Sequence, residues 1–333
     1  MRRLATAALT LSVAGAAGAC GGQQNAASVD TGAAITCQVQ KDTRVGIATG
    51  NATGVYFALG NVFAEQVDAT GGKLKATAAE TGASVQNIQQ VMAGTYQVGF
   101  SQADAATEAV TGTGSFTNKQ PIATLGRIYN NYTQVLVRKA AGIKSVADMR
   151  NKRVSTGSPK SGTELIANRL LNAAGLNPAT DVKAEKLDLT KTVDGMKDGT
   201  IDALVWVGGL YTPGVTDLLT TSSDKVRFLD ISGSLPALQK INSAYEEAPI
   251  PAATYKQPAD IPTIVVPNDL VVRADLDPNV ACVLTRTLFE RKAQLVEANA
   301  AASDITLATA RKTGPVPLQR GSAKALDDLG APR

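Results

Sequence analysis

The stretch GIATGNATGVYFALG, Gly46–Gly60, decides how the rest of the chain is read. It begins inside a β-branched run, RVGIAT at Arg44–Thr49, that reads as a strand. A polar turn rich in glycine follows. Tyr56, Leu59, Phe63 and Val67 then recur at helical spacing and give one apolar helix face. Strand, turn and helix in that order start a βα unit.

The same pattern repeats along the chain. KLKATAAE (Lys73–Glu80) is a second strand, and SVQNIQQVMAG a helix with Val85, Ile88 and Met92 on one side and Gly94 as its stop. YQVGFS (Tyr96–Ser101) and the helix start QADAATEAV come next. PIATLGRIY and TQVLVRK read as two strands, broken at Asn130 and Asn131. A second series pairs KRVSTG with SGTELIANRLLNAAG, DVKAEKL with TKTVDGMKDG, IDALVWV with PGVTDLLTT, and KVRFLDI with SLPALQKINSAY. IPTIVVPNDLVV returns in extended form, and DPNVACVLTRTLFERKAQLVEAN reads as one long amphipathic helix.

Alternating strands and helices predict an α/β fold, a mostly parallel sheet with helices on both faces. Two series and a late return of the chain predict two lobes. Lobe I would be discontinuous, residues 43–130 and 264–333, and lobe II would be 131–263. Two crossing segments, near 130–133 and 260–267, would form the hinge. One continuous doubly wound sheet fits the same strand count and stays open as the alternative.

The N-terminus, MRRLATAALTLSVAGAAGACGG, has two arginines, an uncharged apolar run and small residues before Cys20. That is the order of a secretory signal, residues 1–19. AGAC, Ala17–Cys20, resembles a bacterial lipobox, with Ala17 where leucine is usual. Lipidation of Cys20 would anchor the protein at the outer face of the cell membrane. Plain cleavage near Ala19 would leave it periplasmic. Residues 20–42 read as a flexible tether. In an exported protein, Cys37 and Cys282 either form a disulfide or are buried thiols.

Composition narrows the function. The chain of 333 residues has no histidine, which removes the commonest general base and the commonest zinc ligand. The formal charge is +4, and without Arg2 and Arg3 it falls to +2, so nucleic acid is not an expected partner. No metal cluster or cofactor motif is in view, and no cofactor is expected. TGNATGVY and TGSPKSGT both lack the Gly-Lys-Ser/Thr ending of a phosphate loop.

In open α/β sheets, ligands sit beyond the carboxyl ends of strands, at helix N-termini. That rule selects Thr49, Asn51, Thr53, Gly54 and Tyr56 after the first strand, Ser84 and Asn87 after the second, and Gln102 and Asp104 after the third. In the second series it selects Ser158, Ser161, Gly162 and Thr163, then Trp206 and Gly209. Hydroxyls, amides and open N–H groups suit a small carboxylate. Each loop alone also fits ordinary capping and turn chemistry. Trp206 and Tyr56 fit a ligand wall or plain core packing.

These loops, in this order, resemble the TAXI family of solute-binding proteins of TRAP transporters. ATGNATGVY (Ala48–Tyr56) is similar to its G-T-G-x-x-G-x-Y loop, and TGASVQN (Thr81–Asn87) to T-x-G-S-x-x-N, with Ala83 at the second glycine. AGTYQVGFSQAD (Ala93–Asp104) resembles A-G-x-x-D-x-G-x-x-Q-x-D, with Gln97 for the aspartate. VSTGSPKSGTE, DGTIDALVWVGGLYTPGVTDL and IPAATYKQPADIPTIVVPNDLVVRADLD match later segments. PLQRGSAKALDDLG resembles an ending that usually reads P-L-H-P-G-A, with Gln319 and Arg320 replacing His and Pro. The resemblance implies a two-lobed clam shell of the periplasmic-binding-protein type II kind. It implies capture of a glutamate-, glutamine- or 2-oxoglutarate-like solute for a TRAP permease, without catalysis. It implies no placed ligand arginine, and neither Arg127 nor Arg138 is assigned to the cleft. A receptor for an ABC importer, a carboxylate-based hydrolase using Asp104, and a lipid-anchored sensor are the competing classes.

Overall fold

The computed structural model describes residues 34–333. The signal segment, Cys20 and the first part of the tether lie outside the described residues. The first series runs β1 (Thr43–Ala48), α1 (Val55–Ala69), β2 (Leu74–Ala79), α2 (Ser84–Met92), β3 (Val98–Gln102) and α3 (Ala103–Thr111). A long strand, β4 (Ile122–Arg138), leads into β5 (Arg153–Ser155), α4 (Gly162–Ala173), β6 (Lys183–Glu185), α5 (Leu189–Asp198), β7 (Ala203–Gly208), α6 (Pro213–Ser222) and β8 (Val226–Phe228). Then come α7 (Leu235–Gln239), β9 (Glu246–Ile250), β10 (Ile261–Arg273), α8 (Pro278–Glu290), α9 (Lys292–Ala298) and α10 (Arg320–Asp328).

The sheet order is β2-β1-β3-β10-β4-β7-β5-β6, with β8 on β4 and β9 on β10. The β1–β2, β1–β3, β5–β6 and β5–β7 pairs are parallel, as the βα pattern requires. The sheet is nevertheless mixed rather than mostly parallel. β4 and β10 run antiparallel to each other and to β7 and β3, because they carry the chain from one series to the other and back.

Four local readings change. The break expected at Asn130 and Asn131 is absent, and β4 is one strand of 17 residues. Asn130 pairs with Pro267 and Asn131 with Val266 across the ladder, so these polar residues sit in a strand interior. The long helix expected after Asp277 is interrupted at Arg291 (φ −104°, ψ 22°), which turns Leu295 of α9 into the core around α1. Between Ser234 and Tyr245 only α7 is an α-helix; Ala244 N–H instead bonds Asn242 Oδ1, and Tyr245 is buried. β9 was not foreseen, since Pro249 marks an edge position.

The apolar core falls into separate clusters. One gathers Leu59, Phe63 and Val67 of α1 with Leu125, Leu270 and Leu284. Another gathers Val135, Ile166, Leu170, Val205 and Ile264 around α4. A third, around α5 and α6, holds Leu189, Met196, Leu218 and Trp206. Both β4 and β10 run through more than one cluster: Leu125 and Leu270 belong to the first, and Val135 and Ile264 to the second. Cys37 and Cys282 are bonded across a sequence separation of 245, and Asn279 Oδ1 accepts from the N–H groups of Thr36 and Cys37. The described end of the expected tether is thus held against α8. Gln319 caps α10, and its amide donates to Leu276 O at 2.7 Å, so its side chain is held within the fold.

Candidate functional site

Three helices begin at one cavity. Its lining includes Gly54, Val55 and Tyr56 at the start of α1, Ala83 and Ser84 at α2, and Ser161, Gly162 and Thr163 at α4. Gln102, Asn131, Trp206, Val207 and Gly208 complete the wall from the sheet. The volume swept by the centre of a water-sized sphere is about 30 Å³. No side chain caps α1 or α2. Ser161 Oγ caps α4 by accepting from Glu164 N–H at 2.9 Å, which leaves the first N–H groups of that helix unused by the cap. Helix N-termini carry partial positive charge and free donors. No charged side chain is among the lining residues.

The loop geometry follows from the sequence. Ala83 holds φ 75° and ψ −155°, a conformation suited to glycine, which explains why the resembling pattern has glycine there. Thr81 Oγ1 accepts from Ala83 N–H and donates to Asn87 Oδ1 at 2.6 Å. Gly50 and Gly54 leave room for Tyr56 and Trp206, which a Cβ at those positions would meet at 3.3 Å.

Of the residues selected from sequence, Asn51, Gly54, Tyr56, Ser84, Gln102, Ser161, Gly162, Thr163 and Trp206 line the cavity. Thr49, Thr53, Asn87, Asp104, Ser158 and Gly209 do not, and each has a local reason. Thr49 Oγ1 donates to Ala79 O at 2.6 Å. Thr53 meets Thr190 at 3.3 Å. Asn87 donates to Thr49 O and Phe100 O, tying three loops together. Ser158 bonds Asn51 at 3.2 Å. Gly209 packs on Tyr129 and Ala301. Asp104 accepts from Ala105 N–H, Arg169 Nη1 and Tyr245 Oη, so its oxygens are committed away from the cavity.

Tyr56 serves as wall and scaffold at once. Its ring packs 5.1 Å from that of Phe100, and its hydroxyl donates to Asn268 Oδ1 at 2.5 Å. Burial pushes its pKa well up, so the phenol stays protonated. Trp206 donates from Nε1 to Thr212 Oγ1 at 3.2 Å, and its ring faces Gly54. Arg127 and Arg138 stay outside: Arg127 bonds Asn130 Oδ1 and Arg138 bonds Gly199 O. Asn131 was missed as a site residue because it read as a strand break. Its position halfway along β4 puts it in the cavity lining.

The two series touch around the cavity. Asn51 Oδ1 accepts from Leu189 N–H at 3.2 Å, and Lys160 O accepts from Gln86 N–H at 3.1 Å. Arg169 of α4 ion-pairs with Asp104 and Glu108 of α3.

A mixed α/β sheet crossed by two long strands, with a cavity where its two series meet, is the architecture of the periplasmic binding proteins. Residues 47–330 match the NMT1-like family, and the chain belongs to that family. Among solved structures, it resembles a binding-protein component of an ABC phosphonate transporter from Pseudomonas aeruginosa, at 13% identity, TM-score 0.53, covering 87% of this chain and 96% of that one. A protein of Bordetella bronchiseptica RB50 is similar at 18% identity and TM-score 0.51, covering 86% and 82%. A TRAP periplasmic solute-binding protein from Roseobacter denitrificans, with bound β-D-glucuronate, matches at 11% identity and TM-score 0.48, covering 87% of each chain.

Proposed function

We propose that this protein is an extracytoplasmic receptor of the TAXI kind. It captures a small carboxylated solute of the glutamate, glutamine or 2-oxoglutarate class and delivers it to a TRAP-type permease. The observation that carries the reading is the convergence of three helix N-termini on a cavity whose lining has no charged side chain. Such a cavity holds an oxyanion through N–H donors and dipoles. Asn51, Tyr56, Ser84 and Gln102 would form the first wall, and Ser161, Gly162, Thr163 and Trp206 the closing wall.

The binding cycle is hinge closure between lobe I (43–130 and 264–333) and lobe II (131–263), with β4 and β10 as the hinge. A water needs roughly 10–15 Å³ by the same measure, so a cavity of about 30 Å³ requires the lobes to part before a glutamate-sized solute enters. The solute stabilises the closed form by the contacts it adds across the cleft. Cys20 carries the lipid that keeps the receptor at the outer face of the membrane.

Calorimetric titration of the purified protein with carboxylated solutes tests the reading, with Ser161→Ala and Asn51→Ala weakening binding while the fold is kept. Unchanged affinity in both variants removes these loops from the site. A second reading assigns the same receptor to an ABC importer, because its fold is shared by a binding component of an ABC phosphonate transporter. Uptake in membranes carrying one permease or the other separates the two.

A further inference from the structure

Asn131, one of the residues lining the cavity, carries a hydrogen-bond acceptor whose direction is fixed by the scaffold. Asn131 is 1% exposed, and its Oδ1 is buried without a partner. Its Nδ2 faces Tyr56 Oη at 3.4 Å and Val207 O at 3.5 Å. Both distances are long for hydrogen bonds, yet both neighbours are oxygens. Val207 O can only accept. Tyr56 Oη has one proton, and that proton is committed to Asn268 Oδ1. Asn268 is fixed in turn, since its Nδ2 donates to Tyr129 O at 2.9 Å.

Turning the Asn131 amide over would set its oxygen against two oxygens with no proton between them. The relay from Tyr129 O through Asn268 and Tyr56 therefore sets which way the Asn131 amide points. Gln102 differs. Its Oε1 is also buried without a partner, and among the described residues its Nε2 has none that would fix which end faces a solute.

We infer that Asn131 is a specificity-determining residue that selects solutes with an O–H or N–H donor beside the acid group. The inference deepens the carboxylate reading and rests on it for the acid group alone. A 2-hydroxy or 2-amino acid satisfies Oδ1. A 2-oxo acid places a second acceptor against it and leaves a buried acceptor unpaired, the larger of the two penalties in site recognition.

The test is titration calorimetry on the full chain with pairs differing in one group: 2-hydroxyglutarate and 2-oxoglutarate, lactate and pyruvate, and the uncharged amides of each. Donor-bearing members are expected to bind about tenfold tighter or better. Equal or tighter binding of the oxo members overturns the inference and leaves the carboxylate reading standing. A donor preference among the amides, with no binding by the acids, overturns the carboxylate reading and leaves the inference standing. Absence of binding by every pair overturns both. In Asn131→Leu the preference should vanish; a preference of the same size there assigns the donor readout to another residue and overturns the role of Asn131. Should that variant fail to fold, Asn131→Ser takes its place, and a preference of the same size there overturns the role of Asn131.

Discussion

Arg169 Nη1 lies 2.7 Å from Asp104 Oδ2, a buried ion pair between α4 and α3. The other guanidinium nitrogen meets Glu108, and the Tyr245 hydroxyl joins the cluster. Burial alone would lower the guanidinium's pKa, but Asp104, Tyr245 and Glu108 hold it above its ordinary value. The cluster joins the first βα series to the second. Removing one partner of such a group strands a buried charge, at about 3–5 kcal/mol. Arg169→Met should therefore lower stability by that order in urea unfolding. Asp104→Asn with Glu108→Gln in the same chain should restore much of the loss, because the uncompensated charge is then gone.

Gly162 faces Gln102 and Ser84 across the cavity. A Cβ there would meet Gln102 Oε1 at 2.2 Å and Ser84 Oγ at 2.7 Å. Gly162 is the first residue of α4 and has no positive φ, so the helix itself accepts alanine. Gly162→Ala should keep its thermal unfolding midpoint and weaken solute binding about 10–100-fold, the size of an overpacking penalty. Calorimetry reads the affinity.

Ala83 sits where the backbone favours glycine, at φ 75° and ψ −155°. Relief of that strain should outweigh the added freedom of the unfolded chain. Ala83→Gly is expected to stabilise the protein by about 1 kcal/mol, measured by thermal unfolding.

Asp269 is buried on β10 with both carboxyl oxygens unpartnered. Burial pushes its pKa up to about 8 from an ordinary 3.8, with Arg127 opposing. The folded state thus keeps a proton that the unfolded chain has lost. Its stabilising contribution is complete below pH 3.8 and is lost as pH rises through about 8. Unfolding free energies measured between those limits should decline with pH in the unaltered chain. Asp269→Asn should remove most of that decline.

The helix stripes and the strand-end loops were legible because burial imposes a period that the sequence must carry. Tyr56, Leu59, Phe63 and Val67 are all buried, as their spacing requires. The polar residues of those loops were less legible. Asn87 and Ser84 stand three residues apart, yet Asn87 spends its amide on backbone carbonyls while Ser84 lines the cavity. The same side-chain chemistry serves a turn or a ligand, and only the fold directs it. Asn131 was hidden for the opposite reason. Paired asparagines favour turns in isolation, but here both pair with β10 across the ladder inside a strand. The break at Arg291 lies inside an apolar pattern that runs on unchanged, so periodicity alone did not mark it.

The Cys37–Cys282 bond makes a covalent ring of most of the chain. Every residue that lines the cavity lies between those two cysteines. A protease that nicks one exposed loop inside the ring would therefore separate nothing. The cut protein would migrate as one piece on a non-reducing gel and as two after reduction. A single cut anywhere inside the ring leaves every residue around the cavity on one covalent frame.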